Sequence, residues 1–502
     1  MIRDLTLKDV GPARDLKFAF SPRLNVLTGD NGLGKTFVLD VLWWVLTTTW
    51  AGEKAFPFRP PEEGDGGDFG GGSGSGDGSG DGSGYGGGAG SGAGFGDGSG
   101  YGGGSGSGAG YGGPSSPEVE PGIQAVLTKR RGEPWEEIEV VTRGAWKWES
   151  QEWVRSMWQP NRQTPGSSVY PEQHDEAEFR PHSLVIYARI DGSYAVFDAH
   201  YVKGGIASFA DAAIVLSPSE LWDGKEVADP EVQGGKRTVI GGLIADWVSW
   251  QQRAKSPEFD ALRKVLHALS SPDEPLILSE PTRVHLRDRR DIPTLRTSYG
   301  VVPVTLASAG MRRALSLAYL LVWSWAEHEK AAKTSRRKPT RDVVLLIDEP
   351  ELHQHPAWQR AFLPAVLKAV GAVAPNAGVQ VVTATHSPLV LASLEPHFEP
   401  TMDTLFAFDL MPRAHRVKVE KVPWRPRGDV SNWLTSDVFD LAYARSREAE
   451  AALEKAVKVL DKPDLSDAEA RAIHRELRDA LGDTDPFWAR WLSYAKAKGI
   501  EP

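Results

Sequence analysis

The sequence predicts an α/β protein built on a parallel β-sheet with helices on both faces. Runs of Val, Ile and Leu at residues 343–347 and 379–385 indicate fully buried strands, and helical segments separate them. Continuous apolar strands of this kind are typical of parallel sheets that are covered on both faces. A third apolar run, at residues 24–29, leads into a glycine-rich loop and then an apolar helix. These three observations predict the fold class.

Composition excludes several classes of protein. The chain has 502 residues, no cysteine and a net charge of −10, so disulfides, thiolate catalysis and Cys-based zinc sites are excluded. The acidic balance argues against a surface coated in positive charge for nucleic acid. We therefore interpret the basic tracts 129–131, 287–290 and 336–338 as solvated loops. The longest apolar run, Ala314 to Trp325, is too short to span a bilayer, so we expect a cytoplasmic protein without a membrane partner.

The first predicted domain part covers residues 1–56. Two alternating strands flank a turn at Gly11-Pro12, the buried strand 24–29 follows, and an apolar helix is predicted from Thr36 to Trp50.

Residues 57–116 are predicted to be a disordered insertion. From Gly64 to Gly113 the chain is nearly all Gly, Ser and Asp, and such a stretch cannot bury enough apolar surface to offset its backbone entropy. Two hypotheses stay open: a tolerated surface insertion, and weak self-association through its spaced aromatic residues. Those aromatics are Phe69, Tyr85, Phe95, Tyr101 and Tyr111.

Residues 117–300 are predicted to form a β-rich and helical lobe inserted in the main domain. A hairpin is expected at 123–131 and 137–144, a second strand pair turns at Asp191-Gly192, and residues 241–255 form an amphipathic helix. The many tryptophans are interpreted as core residues, because Lys and Arg do not alternate with them at regular spacing.

Residues 301–426 are predicted to complete the main domain. A long helix runs to about Lys333, and strand 343–347, a helix from about Trp358 to Val370 and strand 379–385 follow it. Residues 427–502 are charged and Ala-rich, and they predict a helical C-terminal region.

The segment GDNGLGKT, residues 29–36, fits the pattern G-x-x-x-x-G-K-[ST] between a buried strand and a helix. Glycines let backbone N–H groups curl round a β-phosphate, and the helix N-terminus adds positive potential. The Lys35 ammonium is placed to reach the β- and γ-phosphates, and the Thr36 hydroxyl to ligate Mg²⁺. The sequence therefore predicts a site for ATP with Mg²⁺. Its predicted contacts are Gly29, Asn31, Gly32, Gly34, Lys35 and Thr36.

A second acidic segment, LLIDEPELHQHP at residues 345–356, ends a buried strand. As part of an ATPase, Asp348 would hold Mg²⁺ and Glu349 would polarise the attacking water. A zinc site at His353 and His355 is the alternative, but no third histidine ligand is evident nearby. His386 ends the next apolar strand, where a neutral imidazole could meet a γ-phosphate. We predict Glu349, His386 and Lys35 as the catalytic group, and Thr36 and Asp348 as the metal ligands.

Together these segments resemble the ABC-type ATPases, specifically the RecF/SMC/OLD branch. The loop form G-x-N-G-x-G-K-T is similar to that branch, and THSP at 385–388 matches its switch histidine. DEPELHQHP resembles the D-E-P-E-x-H-L-H-P stretch of OLD-like and PtuA-like anti-phage ATPases. ASAGM, residues 307–311, occupies the place of the LSGGE-type signature; it has Ala for Leu and for one Gly and Met311 for the acidic residue, but keeps Ser308 and Gly310.

The resemblance covers roughly residues 1–56 and 300–400, and it implies a P-loop NTPase ABC-type head with an antiparallel β lobe. It further implies a homodimer with two ATP molecules sandwiched between subunits, in which Ser308 and Gly310 reach the γ-phosphate bound by the other subunit's Lys35. OLD proteins carry a C-terminal Toprim nuclease. Asp483-Thr484-Asp485 is interpreted instead as a helix-capping turn, so any nuclease effector would be a separate partner.

The resemblance also implies a sensor or motor in a DNA-associated defence or repair system, with DNA as a further partner. Two alternatives stay open. A transporter's nucleotide-binding subunit is disfavoured by the chain's size, its signature and the HQHP turn. A scaffold that holds ATP without turnover is disfavoured by the presence of both Glu349 and His386.

Overall fold

A computed structural model of the chain describes residues 1–57, 121–131, 136–147, 150–158, 183–202, 212–229, 232–270, 275–411, 416–460 and 466–497. The predicted disordered insertion beyond residue 57, and both hypotheses about its aromatic residues, lie outside the described residues.

An eight-stranded mixed sheet forms the centre of the protein. Across the sheet its strands are Arg416–Val422 (β18), Asp403–Met411 (β17), Leu24–Gly29 (β3), Gly378–Ala384 (β16), Asp342–Asp348 (β15), Ser183–Ala188 (β7), Tyr194–Asp198 (β8) and Ala213–Leu216 (β9). The strands from β17 to β7 run parallel, and antiparallel pairs close both edges. The prediction of an α/β fold with a parallel sheet is confirmed.

Both faces of this sheet are buried, as the continuous apolar strands predicted. On β15, Val343, Leu345 and Ile347 belong to one hydrophobic core, while Val344 and Leu346 belong to the core on the other face. Successive strand residues point to opposite faces, so a strand covered on both sides must be apolar throughout. The sequence of β15 therefore follows from its central place.

One face is covered by helix Lys35–Thr47 (α1) and an antiparallel sheet. That sheet consists of Ala13–Ala19 (β2), Ile2–Val10 (β1), Gly122–Arg131 (β4), Glu136–Lys147 (β5) and Glu152–Trp158 (β6), in this spatial order. Trp44 of α1 packs against β5 at Gly144, where any Cβ would meet its indole ring. The predicted β4–β5 hairpin is confirmed, and β1 joins it to the start of the chain.

The opposite face is covered by helices and two small sheets. The helices are Pro218–Asp223 (α2), Leu243–Gln252 (α3), Pro257–Leu269 (α4), Ala309–Thr334 (α5), Pro356–Val373 (α6), Pro388–Leu394 (α7) and Val430–Leu434 (α8). The small sheets are Lys225–Ala228 (β10) with Lys236–Ile240 (β11), and Ile277–Thr282 (β12) with Ile292–Thr297 (β13) and Gly300–Pro303 (β14). Single 3₁₀ turns occupy Ala199–Tyr201 and Val304–Leu306. Within the described residues, none of the helices has the length and apolar character needed to cross a membrane.

Several helices begin at a proline that follows a capping side chain. The fixed φ of proline suits the first helical position, and the preceding side chain accepts a hydrogen bond from a free backbone N–H. These starts are Ser217-Pro218, Ser256-Pro257, His355-Pro356 and Ser387-Pro388. The last two fix where the chain turns after the acidic strand and after His386.

The C-terminal region is helical, as predicted. Arg447–Leu460 (α9), Asp467–Ala480 (α10) and Phe487–Ala497 (α11) share a hydrophobic core of their own around Leu453, Leu477 and Trp491. The Asp483–Asp485 segment is a turn between α10 and α11, and the Asp485 carboxylate accepts a hydrogen bond from the Phe487 N–H at 2.8 Å. Its interpretation as a helix-capping turn is confirmed.

The structure differs from the sequence-based outline in one important place. Residues 183–216, which the prediction assigned to an inserted lobe, supply β7, β8 and β9 of the central sheet. The parallel pairing of β7 with β15 carries them there, in the register Leu346 to Tyr187. Element ends shift by a few residues as well. Helix α1 stops at Thr47 rather than Trp50, because Thr48 adopts a left-handed conformation.

Replacing Trp43 by Ala should destabilise the protein strongly. Trp43 is fully buried on α1, its ring centre lies 6.2 Å from that of Tyr187, and its indole N–H donates to Thr49 at 3.2 Å. Loss of a buried aromatic side chain costs about 3–5 kcal/mol of unfolding free energy, measured by urea denaturation. Leu286→Ala is the control, because Leu286 is 99% exposed. Equal unfolding free energies for the two variants would contradict this description of the core.

Candidate functional site

The loop between β3 and α1 has the backbone shape that its glycines predicted. Gly29, Gly32 and Gly34 all have positive φ, at 124°, 77° and 92°. Gly34 is the N-cap residue of α1, and no side chain accepts a hydrogen bond from the N–H groups at the start of this helix. Gly29 also lies against the next strand, since a Cβ there would collide with the Phe408 carbonyl. The free N–H groups at the start of α1 therefore face a concave loop, which is the arrangement that binds phosphate.

Lys35 stands at the centre of the site and is 4% exposed. Its Nζ donates to the Gly29 carbonyl at 2.9 Å and to the Asp30 carbonyl at 2.6 Å. Burial lowers the pKa of Lys35 to about 8, against the opposing attraction of Glu349, Asp30 and Asp348. The ammonium group thus donates to neutral carbonyl oxygens. An anion at the same position would stabilise its charge more strongly.

Asp348 ends β15 and is almost fully buried. Desolvation raises the pKa of its carboxyl to about 6; Glu349 and Asp40 push it in the same direction, and a hydrogen bond with Thr36 opposes the shift. Its second oxygen, Oδ2, is buried without a hydrogen-bond partner among the described residues. A carboxylate in this state has an unused acceptor site beside the Thr36 hydroxyl.

Glu349 and His386 face each other across neighbouring strand ends. The Glu349 Oε1 atom lies 3.3 Å from His386 Nε2, and both side chains are partly exposed. Glu349 has a left-handed φ of 46°, and its N–H donates to the Ala384 carbonyl at 2.9 Å. Burial and the nearby Lys35 charge lower the pKa of His386, so its ring is neutral near pH 7.

Glu351 joins the turn after β15 to the loop after β16. Its Oε1 accepts hydrogen bonds from the Thr385 hydroxyl and from the His386 N–H, each at 2.8 Å. Burial raises the pKa of Glu351. The backbone of His386 is therefore held from the side of the acidic segment, and not by its own strand alone.

Ser308 and Gly310 lie at the start of α5, beside the turn that contains His353 and Gln354. A Cβ on Gly310 would be 3.2 Å from the His353 carbonyl. Ser308 is exposed and accepts a hydrogen bond from the Met311 N–H at 3.3 Å. Within the described residues, no hydrogen bond or ion pair joins Ser308 or Gly310 to the 29–36 loop of the same chain.

Arg313, on the second turn of α5, ties this helix to the acidic strand. One guanidinium nitrogen donates to the Asp348 carbonyl at 2.7 Å and to the Glu349 carbonyl at 3.0 Å. These two hydrogen bonds connect the start of α5 directly to the end of β15.

His353 and His355 do not form a metal site with the acidic residues. His355 caps α6, where its Nδ1 accepts a hydrogen bond from the Ala357 N–H at 3.3 Å. His353 has a positive φ of 62° in the turn. Neither belongs to a three-ligand group among the described residues, whose one such group is Asp198, His200 and His328. The zinc alternative receives no support from this geometry.

Several residues at the site were missed by sequence reasoning. Asp40 lies one helical turn after Thr36, beside Tyr187, and burial raises its pKa to about 6. An acidic residue four positions after Thr36 on an apolar helix was a readable signal. Glu351 lay in the quoted motif without an assigned role. Arg313 and Tyr187 gave no signal, because only tertiary structure brings them to the site.

Two protein-family models match separate parts of the chain. Residues 248–392 match "AAA domain, putative AbiEii toxin, Type IV TA system", and residues 4–65 match a second model described as "AAA domain". The first segment contains Ser308, Gly310, Asp348, Glu349 and His386, and the second contains the 29–36 loop. Both parts of the site thus lie in segments similar to AAA-type P-loop ATPase domains. No curated protein matches the chain.

Solved structures with a similar course of chain include an SMC head domain from Thermotoga maritima, at 12% identity and a TM-score of 0.35, covering 84% of this chain and 99% of that one. Another is an SMC head bound to the C-winged helix domain of ScpA, at 14% identity and a TM-score of 0.36, covering 84% of this chain and 97% of that one. A third is the recombination mediator RecF with ATP, at 12% identity and a TM-score of 0.32, covering 84% of this chain and 97% of that one. Similarity at this level says nothing about the substrates or partners of this chain.

Asp348→Asn should stabilise the nucleotide-free and metal-free protein at pH 8. The raised pKa means that the wild-type protein loses stability as the pH rises through about 6, so the variant's advantage should shrink towards pH 4. A shift of this size corresponds to at most about 3 kcal/mol. Denaturant unfolding at several pH values measures it, with Asp409→Asn, at an exposed position of β17, as the control. An advantage that does not depend on pH would show that Asp348 is not a strained charge.

Proposed function

We propose that the protein is an ATPase that binds ATP with Mg²⁺ in the 29–36 loop and hydrolyses it. One observation carries the proposal. Lys35, the adjacent pair Asp348 and Glu349, and His386 come from three separate segments of the sequence and converge at the carboxyl ends of β3, β15 and β16. A phosphate cradle, a metal-binding carboxylate and a water-activating pair in one place are the parts that nucleotide hydrolysis needs.

Binding begins with the loop and Lys35. The N–H groups of the loop and of the first turn of α1 would surround the β-phosphate. The Lys35 ammonium would leave the Gly29 and Asp30 carbonyls for the β- and γ-phosphates, whose charge offsets the desolvation that lowers its pKa. Asn31 and Gly32 line the exposed side of the loop.

Thr36 and Asp348 would hold the magnesium ion. The two side chains already interact, and the Asp348 Oδ2 atom is a buried acceptor without a partner among the described residues, which suits a cation. When bound, Mg²⁺ neutralises charge that develops on the phosphates.

Hydrolysis is assigned to Glu349 and His386. The Glu349 carboxylate orients a water molecule and accepts its proton as the water attacks the γ-phosphorus; the bond from that phosphorus to the β–γ bridging oxygen breaks, and ADP leaves. The neutral His386 ring has one N–H; its Nε2 lies 3.3 Å from the Glu349 carboxylate in the structure, and when ATP is bound this N–H would donate to a γ-phosphate oxygen instead. Glu349 reaches this place because its left-handed backbone turns the chain sharply after β15.

ATP would also join two copies of the chain. Ser308 is exposed at the N-terminus of α5 and has no link to the loop of its own chain among the described residues, so it is free to meet the nucleotide of a second copy. Gly310 permits the close approach of α5 to the 353–354 turn. Arg313 on α5 donates a hydrogen bond to the Glu349 carbonyl. A contact that a second copy makes at Ser308, at the start of α5, would therefore affect the position of Glu349.

A more specific proposal concerns the biological role. The ATPase would act in a DNA-associated defence or repair system, together with a separate effector such as a nuclease. It rests on the resemblance of the motifs. The basic tract 287–290 adds little, since Arg290 is paired with Asp223 and Asp288.

Glu349→Gln should slow ATP hydrolysis about a hundredfold or more while ATP binding is retained, because the amide cannot accept the water proton. Phosphate release gives the rate, and light scattering with ATP reports a trapped dimer. Glu420→Gln, at an exposed position of β18, is the matched control. Wild-type turnover by the Gln variant would remove Glu349 from its assigned role, and a wild-type protein that releases no phosphate would favour the scaffold alternative.

Glu351 is proposed as a positioning residue for His386. Glu351→Ala removes the acceptor for two hydrogen bonds and should lower kcat about tenfold with little change in KM. Glu351→Gln keeps a carbonyl oxygen and should restore most of the rate. Steady-state kinetics of the two variants measures the difference. If Ala and Gln variants behave alike, the hydrogen bonds to Thr385 and His386 are not what matters.

A further inference from the structure

One side chain on the first turn of α6 connects the loop after β15 to the loop after β16. The Nε2 atom of Gln359 donates a hydrogen bond to the Gln354 carbonyl at 3.0 Å. The Oε1 atom of the same amide accepts a hydrogen bond from the Ser387 hydroxyl at 3.1 Å. Gln359 therefore bridges the turn at 353–354 and the segment that directly follows His386.

The orientation of the Gln359 amide is fixed by its two neighbours. A carbonyl oxygen can only accept a hydrogen bond, so the NH₂ group must face Gln354. The amide oxygen then faces Ser387, whose hydroxyl donates to it and also accepts from the Val390 N–H at 3.3 Å. Neither a carboxylate nor an apolar side chain at residue 359 could make both bonds of the bridge.

The Ser387 end of the bridge controls where His386 stands. Ser387 is 9% exposed, and its N–H donates to the Thr385 hydroxyl at 3.1 Å. On the other side of His386, Glu351 accepts from that same hydroxyl and from the His386 N–H. The His386 backbone is therefore held by Glu351 from one side and, through Ser387, by Gln359 from the other.

The Gln354 end of the bridge lies against the start of α5. A Cβ on Gly310 would be 3.5 Å from the Gln354 Cα atom, so the helix start and the turn are in van der Waals contact. The amide group of Gln354 is buried and forms no hydrogen bond among the described residues, so it does not anchor the turn elsewhere. A shift of the start of α5 would therefore move this turn, and Gln359 with it.

The start of α5 carries Ser308, which the proposed function brings to the nucleotide of a second copy. Arg313 connects this helix to the Glu349 carbonyl. Gln359 supplies a second connection, which runs from the same helix through the 353–354 turn to the segment after His386. Both members of the Glu349–His386 pair would thus respond to the arrival of a second copy.

We propose that Gln359 is a positioning residue that transmits the contact of a second copy from the start of α5 to His386. The inference rests on the proposed function, because it requires ATP bound between two copies of the chain. Gln359 acts through Ser387 rather than on the nucleotide, so its loss affects the rate of hydrolysis more than the binding of ATP.

Variants at residue 359 test the bridge by steady-state phosphate release. Gln359→Met removes both hydrogen bonds at nearly constant side-chain length, and it should lower kcat about tenfold while KM for ATP changes less than about twofold. Gln359→Glu should be equally slow, because a carboxylate cannot donate to the Gln354 carbonyl. Arg360→Met, at the next and exposed position of α6, is the control. A kcat within about twofold of wild type for both Gln359 variants would overturn the proposal.

Ser387 tests the other end of the bridge. Ser387→Thr keeps the hydroxyl and should keep most of the wild-type rate, whereas Ser387→Ala should be slow. Adding Gln359→Met to Ser387→Ala should slow the protein less than about threefold further, because the bridge is already broken. Effects of the two substitutions that simply multiply would overturn the proposal. If Gln359→Met does not fold, Gln359→Glu and the Ser387 pair decide.

Hydrogen exchange of the nucleotide-free protein gives a readout without turnover. Gln359→Met should speed exchange of the backbone amides from Ser387 to Leu391 about tenfold, because the segment loses one of its ties. Exchange in α11 should stay as in wild type, since the C-terminal helices have a hydrophobic core of their own. Unchanged exchange at 387–391 would overturn the proposal.

A double-mutant cycle with Ser308→Ala tests the transmission itself. Ser308 and Gln359 share no hydrogen bond among the described residues, and effects at such separate positions usually multiply. If Gln359 transmits the contact, Ser308→Ala should slow the Gln359→Met protein at least about threefold less than it slows the wild type. Equal effects in the two backgrounds would overturn the proposal. A wild-type protein that releases no phosphate would instead refute the proposed function, and this proposal with it.

Discussion

The parallel pairing of β16 with β3 on one side and β15 on the other is the constraint on which the site depends. Ala384 is in register with Leu27 on β3 and with Asp348 on β15. Three chain segments therefore end at the same edge of the sheet, and the loops that follow them carry Lys35, Glu349 and His386. Without this register the residues would be far apart, because nothing local in the sequence connects them. The hydrogen bonds of Glu351 then join the neighbouring loops after β15 and β16.

Electrostatics gives the unliganded site its character. Burial raises the pKa values of the buried Asp348 and the half-buried Asp40 to about 6, and it lowers the pKa of the buried Lys35 ammonium to about 8. For each of these groups the charged form is less stable in the protein than it would be in water. A ligand that brings both phosphate charge and a divalent cation would relieve the two kinds of strain together. The fold thus stores in its unliganded form part of the free energy that favours binding.

The sequence predicted three of the eight strands of the central sheet, β3, β15 and β16, and the 29–36 loop, because these are local patterns. Strand β15 is apolar throughout, and the loop has glycines where the backbone needs positive φ. It did not predict the place of β7, β8 and β9, because an apolar strand does not state which neighbour it pairs with. The role of Arg313 could not be predicted either. Its partners are backbone carbonyls, and because every residue has one, the sequence does not indicate which of them Arg313 would contact. The Asp198–His328 contact joins residues 130 positions apart, and no spacing rule reaches that far.

The close contact between Gly29 and Phe408 has a consequence for how the protein is made. The loop that would hold the phosphates is shaped against β17, which comes much later in the sequence and pairs directly with β3 up to Gly29. At about 5–20 residues per second, a ribosome reaches Phe408 roughly 20 to 80 s after Gly29. Throughout that interval β3 lacks β17, one of the two strands that flank it. The 29–36 loop therefore takes its final shape only after β17 has been made, long after the loop's own residues.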